Sequence, residues 1–134
     1  MRLATIKLNG KEIAGIVTES GILPIAALNA AKGTAWKEEM YELICAQQVP
    51  GLTKWYNEGG KDELETIPGL VPQDQVEYAP LYRNPRRIFG IGLNYAEHAG
   101  DIGNAPPQGF PGSFFKMADT LIGPGYEIHL TKLK

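Results

Sequence analysis

The dipeptide Asn9-Gly10 constrains the fold of this chain most, because both residues tolerate the positive φ of a two-residue hairpin turn. Residues 3–8 before it have the composition of a strand, and residues 12–17 after it are typical of the returning strand. A second turn at residues 19–21 leads into an apolar run that ends at Ile25. The sequence therefore predicts that the chain opens with a three-stranded antiparallel meander.

Two helices are predicted after the meander. The first covers residues 25–31, which are rich in good helix formers, and Gly33 ends it. The second begins at a Thr34 cap and ends at Pro50-Gly51. Its apolar side chains recur at helical spacing and share one face, which we expect to pack on the meander rather than to bind a partner or cofactor. These side chains are Trp36, Met40, Leu43 and Ile44.

A proline-rich stretch separates the two halves of the chain. Four prolines fall within residues 68–85, which predicts an extended connector or an edge strand. We place a domain boundary there, with a small α+β domain at residues 1–80 and the start of a second domain at residues 81–134. Strands are predicted in the second domain at residues 86–93, 113–117 and 126–130.

Charge and cysteine content exclude several classes of protein. With 13 Lys and Arg against 15 Asp and Glu, the chain has no basic footprint for nucleic acid or an anionic membrane. The single cysteine, Cys45, excludes an intrachain disulfide, and we interpret it as a buried small hydrophobe rather than a reactive thiol. The longest mostly apolar stretch, residues 21–31, contains Pro24 and Asn29 and cannot span a bilayer. These features predict a soluble protein of the cytoplasm.

A short polar segment of helical propensity, residues 94–101, follows the predicted strand at residues 86–93 and contains a candidate acid–base pair. His98 and Asp101 are spaced to share one face of a helical turn. A carboxylate beside an imidazole fixes its tautomer and raises its pKa, which prepares the ring to take a proton near neutral pH. By spacing alone, the simpler interpretation is favoured: an exposed pair without a catalytic role.

Lys116 is a second candidate, within the sequence Phe114-Phe115-Lys116-Met117. Its aromatic neighbours would hold the ammonium at the wall of a pocket, where it binds a substrate carboxylate or polarises a carbonyl. Taken alone, a strand lysine that extends into water is the favoured interpretation. The sequence has no phosphate-binding loop, zinc motif or nucleophile elbow, and Gly90-x-Gly92 lacks the third glycine of a dinucleotide fingerprint.

Three segments in the last third of the chain resemble, in order and with plausible spacing, the start of the catalytic domain of the fumarylacetoacetate hydrolase family. They are residues 87–99, 114–117 and 121–128. The family pattern is roughly V-G-x-N-Y-x-x-H-x-x-E, then P-x-x-F-x-K, then G-P-G-x-x-I. Residues 1–80 resemble, less distinctively, the small N-terminal domain that many members carry.

The resemblance implies an α+β chain in which the N-terminal meander and helices precede the first strands of a truncated, mostly β catalytic roll. It also implies a homo-oligomer, a divalent ion (Mg²⁺, or Mn²⁺ or Ca²⁺ instead) and a 2-oxo, 2,4-dioxo or enol acid as substrate. Family members hydrolyse C–C bonds, isomerise, decarboxylate or hydrate. By resemblance His98 is the general base, and it is paired with Asp101 at a position where the family usually has Glu. The resemblance also implies that the substrate is contacted by Asn94, Tyr95 and Lys116.

The metal ligands of the family have no counterpart in this sequence. They are an E-x-E pair and an Asp well downstream of the G-P-G turn, and neither Asp119 nor Glu127 matches those positions. We therefore expect a portion of an enzyme that is inactive without its downstream segment and binds no metal alone. The alternatives are a non-catalytic domain that binds a partner or oligomerises, and a differently folded segment that binds a small ligand through His98.

Overall fold

The computed structural model describes residues 1–92, 95, 97, 100, 103 and 110–130. The chain divides into two compact units, which are described separately. The first unit comprises residues 1–82 and 122–134, and the second comprises residues 83–121. The first unit contains an antiparallel sheet and helices and the second an antiparallel strand pair, so the chain is of the α+β class, as predicted.

Five antiparallel strands form the sheet of the first unit: β1 (Leu3–Leu8), β2 (Lys11–Val17), β3 (Gly21–Pro24), β4 (Val71–Pro72) and β5 (Glu77–Tyr78). Their order is β4-β3-β2-β1-β5, so the predicted meander forms the centre of the sheet. Asn9 and Gly10 have φ values of 50° and 75°, as the predicted hairpin turn requires. The proline-rich stretch supplies both edge strands, and their shortness limits pairing with other chains.

Three helices follow the meander: α1 (Ile25–Lys32), α2 (Met40–Cys45) and α3 (Val49–Trp55). The first matches its prediction and ends at Gly33, whose φ is 63°. Shorter helical turns follow at Tyr56–Gly60 (π), Lys61–Glu63 (α), and Leu64–Thr66, Gln73–Gln75 and Ala118–Thr120 (3₁₀). No helix among the described residues is long and apolar enough to cross a membrane.

The predicted bounds of the second helix are wrong at both ends. Thr34 does not cap it, because the Thr34 hydroxyl donates to the Asn29 side chain at 2.9 Å. The helix begins only after Glu39, whose carboxylate accepts hydrogen bonds from two backbone N–H groups of the first turn. Pro50 lies in the first turn of α3 instead of ending a helix, at a position where its missing N–H costs no hydrogen bond.

The core of the first unit joins β2 and β3 to the helices. Met40 and Leu43 of α2 are buried in it, as their helical spacing predicted. Trp36 also packs against it, but from the segment before α2 rather than from a helix. Ile44 departs from that prediction, with 43% of its surface exposed. The prediction of a buried Cys45 is wrong, because this residue is exposed.

The second unit contains one antiparallel pair of strands, β6 (Ile88–Gly92) and β7 (Gly112–Lys116). These strands confirm the predictions for residues 86–93 and 113–117 to within a few positions. The predicted strand at residues 126–130 is wrong, because these residues of the first unit have no regular secondary structure. Most of the predicted helical segment 94–101 lies outside the described residues.

A side-chain cluster in the first unit, which we call the clasp, holds the segment after the G-P-G turn against the sheet. The Tyr126 N–H donates to the Gly123 carbonyl across the turn at 3.2 Å. The clasp consists of Lys7, Glu77 and Tyr126. The Lys7 ammonium donates a hydrogen bond to the Glu77 carboxylate at 2.7 Å, and the Tyr126 hydroxyl donates one to the same carboxylate at 3.1 Å. The ammonium also lies 4.5 Å from the centroid of the Tyr126 ring.

The clasp predicts a dependence of stability on pH. Hydrogen bonds from Lys7, the larger effect, and from Tyr126 lower the pKa of Glu77 below its ordinary value of 4.5. The contribution of Glu77 to folding stability is therefore complete above pH 4.5 and is lost as the pH falls through the lower folded-state pKa. Hydrogen bonding to Glu77, the larger effect, and to Tyr126 raises the pKa of Lys7 above 10.5. The contribution of Lys7 to folding stability is therefore complete below pH 10.5 and is lost as the pH rises through the higher folded-state pKa.

We expect Glu77→Gln to lower the thermal unfolding midpoint slightly at neutral pH and not at a pH well below 4.5, since the wild-type carboxylate is protonated there. Calorimetry at both pH values measures the effect. Glu58→Gln is the matched control, because Glu58 makes only a longer ion pair, 3.8 Å, with Lys54. An equal effect of the two substitutions, or an effect of Glu77→Gln that persists in acid, would contradict the role of the clasp.

Candidate functional site

The β6–β7 hairpin carries two of the three motif segments, and its two faces differ in chemistry. Successive side chains of a strand point to opposite faces, so the register assigns each residue to one face. What we call the glycine face consists of Ile88, Gly90, Gly92, Gly112, Phe114 and Lys116. What we call the aromatic face consists of Phe89, Ile91, Ser113 and Phe115.

The aromatic face is apolar apart from one serine. The Phe89 and Phe115 rings pair edge to face, with centroids 5.4 Å apart and an interplanar angle of 67°. Both rings remain more than half exposed, as does Ile91. An exposed apolar surface of this kind is typical of a packing or partner-binding face.

The glycine face is flat because three of its six residues have no side chain. The Phe114 ring lies across β6 at Gly90, the residue directly opposite it. A Cβ at Gly90 would lie 2.4 Å from Cζ and 2.5 Å from Cε2 of Phe114, closer than carbon atoms can approach. Glycine is therefore required at position 90 for the ring to occupy this place.

Lys116 shares the glycine face with Phe114, two positions further along β7 and opposite Ile88. The residue is exposed. No hydrogen bond or ion pair joins its ammonium to another residue in the described part of the chain. A compact, strongly hydrated cation in such a position can bind a carboxylate of a ligand.

The other residues predicted for the site are placed only in part. His98, Asp101 and Asn94 lie outside the described residues. Tyr95 is described, and 59% of its surface is exposed. Lys116 stands at the Ile88 end of the hairpin, whereas the segment with His98 leaves from the Gly92 end, about 13 Å away at ~3.3 Å per residue. The pairing of the two strands alone therefore does not bring Lys116 to the Gly92 end of the hairpin.

Sequence reasoning missed the contact between Phe114 and Gly90. The signal was present, because a glycine inside a strand often marks the close approach of another group. The strand whose ring explains Gly90 follows much later in the sequence, so no local pattern around Gly90 identifies its partner.

The described residues do not fit the divalent ion that the resemblance implies. Among them, no group of three or more His, Cys, Asp or Glu side chains lies close enough together to hold a metal ion. Mg²⁺ requires oxygen ligands at near-octahedral geometry, mostly carboxylates and water.

A cleft of about 730 Å³ in the first unit contains none of the predicted site residues. The Ser20 N–H and hydroxyl both donate to the Glu65 carboxylate at its wall. Hydrogen bonding from Ser20, and then from Thr18, lowers the pKa of Glu65. This carboxylate ties the turn before β3 to the helical turns, which is a structural role.

Comparison with known proteins gives a partial likeness to an uncharacterized protein. No family model matches the chain, and no solved structure matches it. An uncharacterized protein from Pyrococcus horikoshii is 44% identical over 48 residues, which is 36% of this chain. The matched segment spans only 20% of the length of that protein.

Proposed function

We propose that residues 81–134 are the start of a catalytic domain of the fumarylacetoacetate hydrolase type. The chain is then a portion of a metal-dependent hydrolase or isomerase that acts on 2-oxo or 2,4-dioxo acids. The observation that supports this best is the pairing of β6 with β7. This pairing joins two motif segments that are distant in sequence, and Lys116 lies on the flat glycine face that the two strands share.

The proposed residues suit the hydrolysis of a C–C bond in a 2,4-dioxo acid. Lys116 holds the substrate carboxylate, and His98, oriented by Asp101, takes a proton from the attacking water. The water oxygen bonds to the distal carbonyl carbon, and the C–C bond breaks with its electron pair on the departing enolate, which takes up a proton. The products are a carboxylic acid and a 2-oxo acid. The ligands for Mg²⁺ would come from residues outside this sequence.

Substitution of Lys116 tests the proposed carboxylate contact. In the protein joined to the residues encoded downstream of Lys134, we expect Lys116→Met to lower kcat/KM for acetylpyruvate about 10- to 100-fold, because a hydrogen bond to a charged group is lost. The loss of the enol absorbance measures turnover. Lys54→Met is the control, since Lys54 is an exposed lysine of the first unit. Equal activity of the two variants would contradict the assignment.

A second candidate function is oligomerisation without catalysis, and the aromatic face favours it. A two-stranded hairpin is marginally stable alone, and its exposed aromatic side chains would be covered by the same face of a second copy. Sedimentation velocity of the wild type and of Phe115→Asp tests this. A dimer that Phe115→Asp dissociates supports it, and a monomeric wild type counts against it.

A further inference from the structure

We infer that the glycine face is the ligand-binding face of the hairpin and that Phe114 determines specificity there. Its ring stacks on the planar, conjugated part of a ligand whose carboxylate is bound by Lys116. This inference rests on the proposed function and deepens it, because it selects enolised dioxo acids over saturated oxo acids of similar length.

The position of Phe114 is the first observation that supports this. Gly90 allows the ring to lie on the strand, since a Cβ there would approach within 2.4 Å of it. Phe114 is 47% exposed, so about half of its surface remains available to a ligand although the ring packs on β6 at Gly90. A ring that packs on a strand and remains half exposed provides a fixed stacking surface.

The contrast between Phe114 and Phe115 is the second observation. The two are adjacent in sequence and point to opposite faces of the hairpin. Phe115 pairs with Phe89 on a face that carries no charge, whereas Phe114 shares its face with Lys116, two positions further along β7. Of these two phenylalanines, Phe114 is therefore the one that shares a face with a planar anion held by Lys116.

The ligand chemistry follows from this pair of groups. An enolised 2,4-dioxo acid is a conjugated plane with a carboxylate at one end. The ammonium binds the carboxylate as a point charge, and the plane packs on the ring in the offset geometry that aromatic surfaces prefer. A saturated acid such as 4-oxopentanoate offers a carboxylate and a carbonyl but no such plane. The preference for the planar acid therefore reports on Phe114, and the affinity for both acids reports on Lys116.

The test measures dissociation constants of the intact chain for acetylpyruvate and 4-oxopentanoate by titration calorimetry. We expect wild type to prefer acetylpyruvate and Phe114→Leu to reduce that preference about 2- to 10-fold, the usual range for an aromatic contact. Gly90→Ala should act like Phe114→Leu because it displaces the ring. Phe114→Tyr, which keeps the ring, and Phe115→Leu, which alters the other face, should retain the wild-type preference.

The outcomes separate this inference from the proposed function. If Lys116→Met weakens the binding of both acids but Phe114→Leu keeps the wild-type preference, the inference is overturned and the carboxylate contact stands. If Phe115→Leu lowers the preference as much as Phe114→Leu, the choice of face is overturned. If wild type binds neither acid, or binds both regardless of Lys116→Met, the inference and the proposed role of Lys116 are overturned together.

Discussion

Replacing Leu43 with alanine is expected to lower the free energy of unfolding by about 2–5 kcal/mol. Leu43 lies on α2 and is completely buried in the core that joins the helices to β2 and β3. The substitution removes apolar atoms from a closely packed site and leaves a cavity that the neighbours fill only in part. Urea unfolding followed by circular dichroism measures the change.

Ile44→Ala is the matched control for this prediction. Ile44 is the next residue of the same helix and an isomer of leucine, but 43% of its surface is exposed. We expect it to cost about 1 kcal/mol or less, because much of its surface is in water in the folded state. Equal losses for the two substitutions would contradict the packing of α2 described above.

Replacing His98 with alanine is expected to lower kcat for acetylpyruvate about 10²- to 10⁴-fold, in the protein joined to its downstream residues. This is the range that a positioned general base contributes. The acid limb of the pH profile of kcat/KM should disappear with it, because that limb reports protonation of the base. Steady-state turnover across the pH range measures both effects.

The second histidine of the chain is the control. The sequence contains two histidines, and His129 is exposed in the segment after the G-P-G turn. His129→Ala should keep the rate and the pH profile of the wild type. If the two substitutions reduce turnover equally, or if His98→Ala retains full activity, His98 is not the general base.

Local sequence signals predicted the parts of the fold that depend on neighbouring residues. Asn9-Gly10 is sufficient for the first hairpin because the turn geometry depends on these two residues themselves. Gly33 ends α1 for the same reason. The start of α2 could not be predicted in this way. The Asn29 side-chain amide forms hydrogen bonds with the Trp36 backbone and with the Thr34 hydroxyl. These hydrogen bonds hold the residues after α1 in a non-helical conformation.

In the candidate site, too, the sequence predicts the local features but not the contacts between distant residues. Strand alternation alone places Phe114 and Lys116 on one face. The packing of the Phe114 ring on Gly90 depends on the register between two strands that are distant in sequence. No local pattern specifies that register. Residues 126–130 do not form the strand predicted after the G-P-G turn, and a contact that is distant in sequence holds the start of this segment. Tyr126 is engaged by Glu77, a residue of an edge strand far earlier in the chain.

Turnover of acetylpyruvate in the presence of Mg²⁺ tests the proposed function most directly, measured for the 134-residue chain and for the same chain joined to the residues encoded downstream. We predict that the joined protein forms acetate and pyruvate and that the 134-residue chain does not exceed the uncatalysed rate. Comparable turnover by the two proteins, or no turnover by the joined protein, would contradict the proposal.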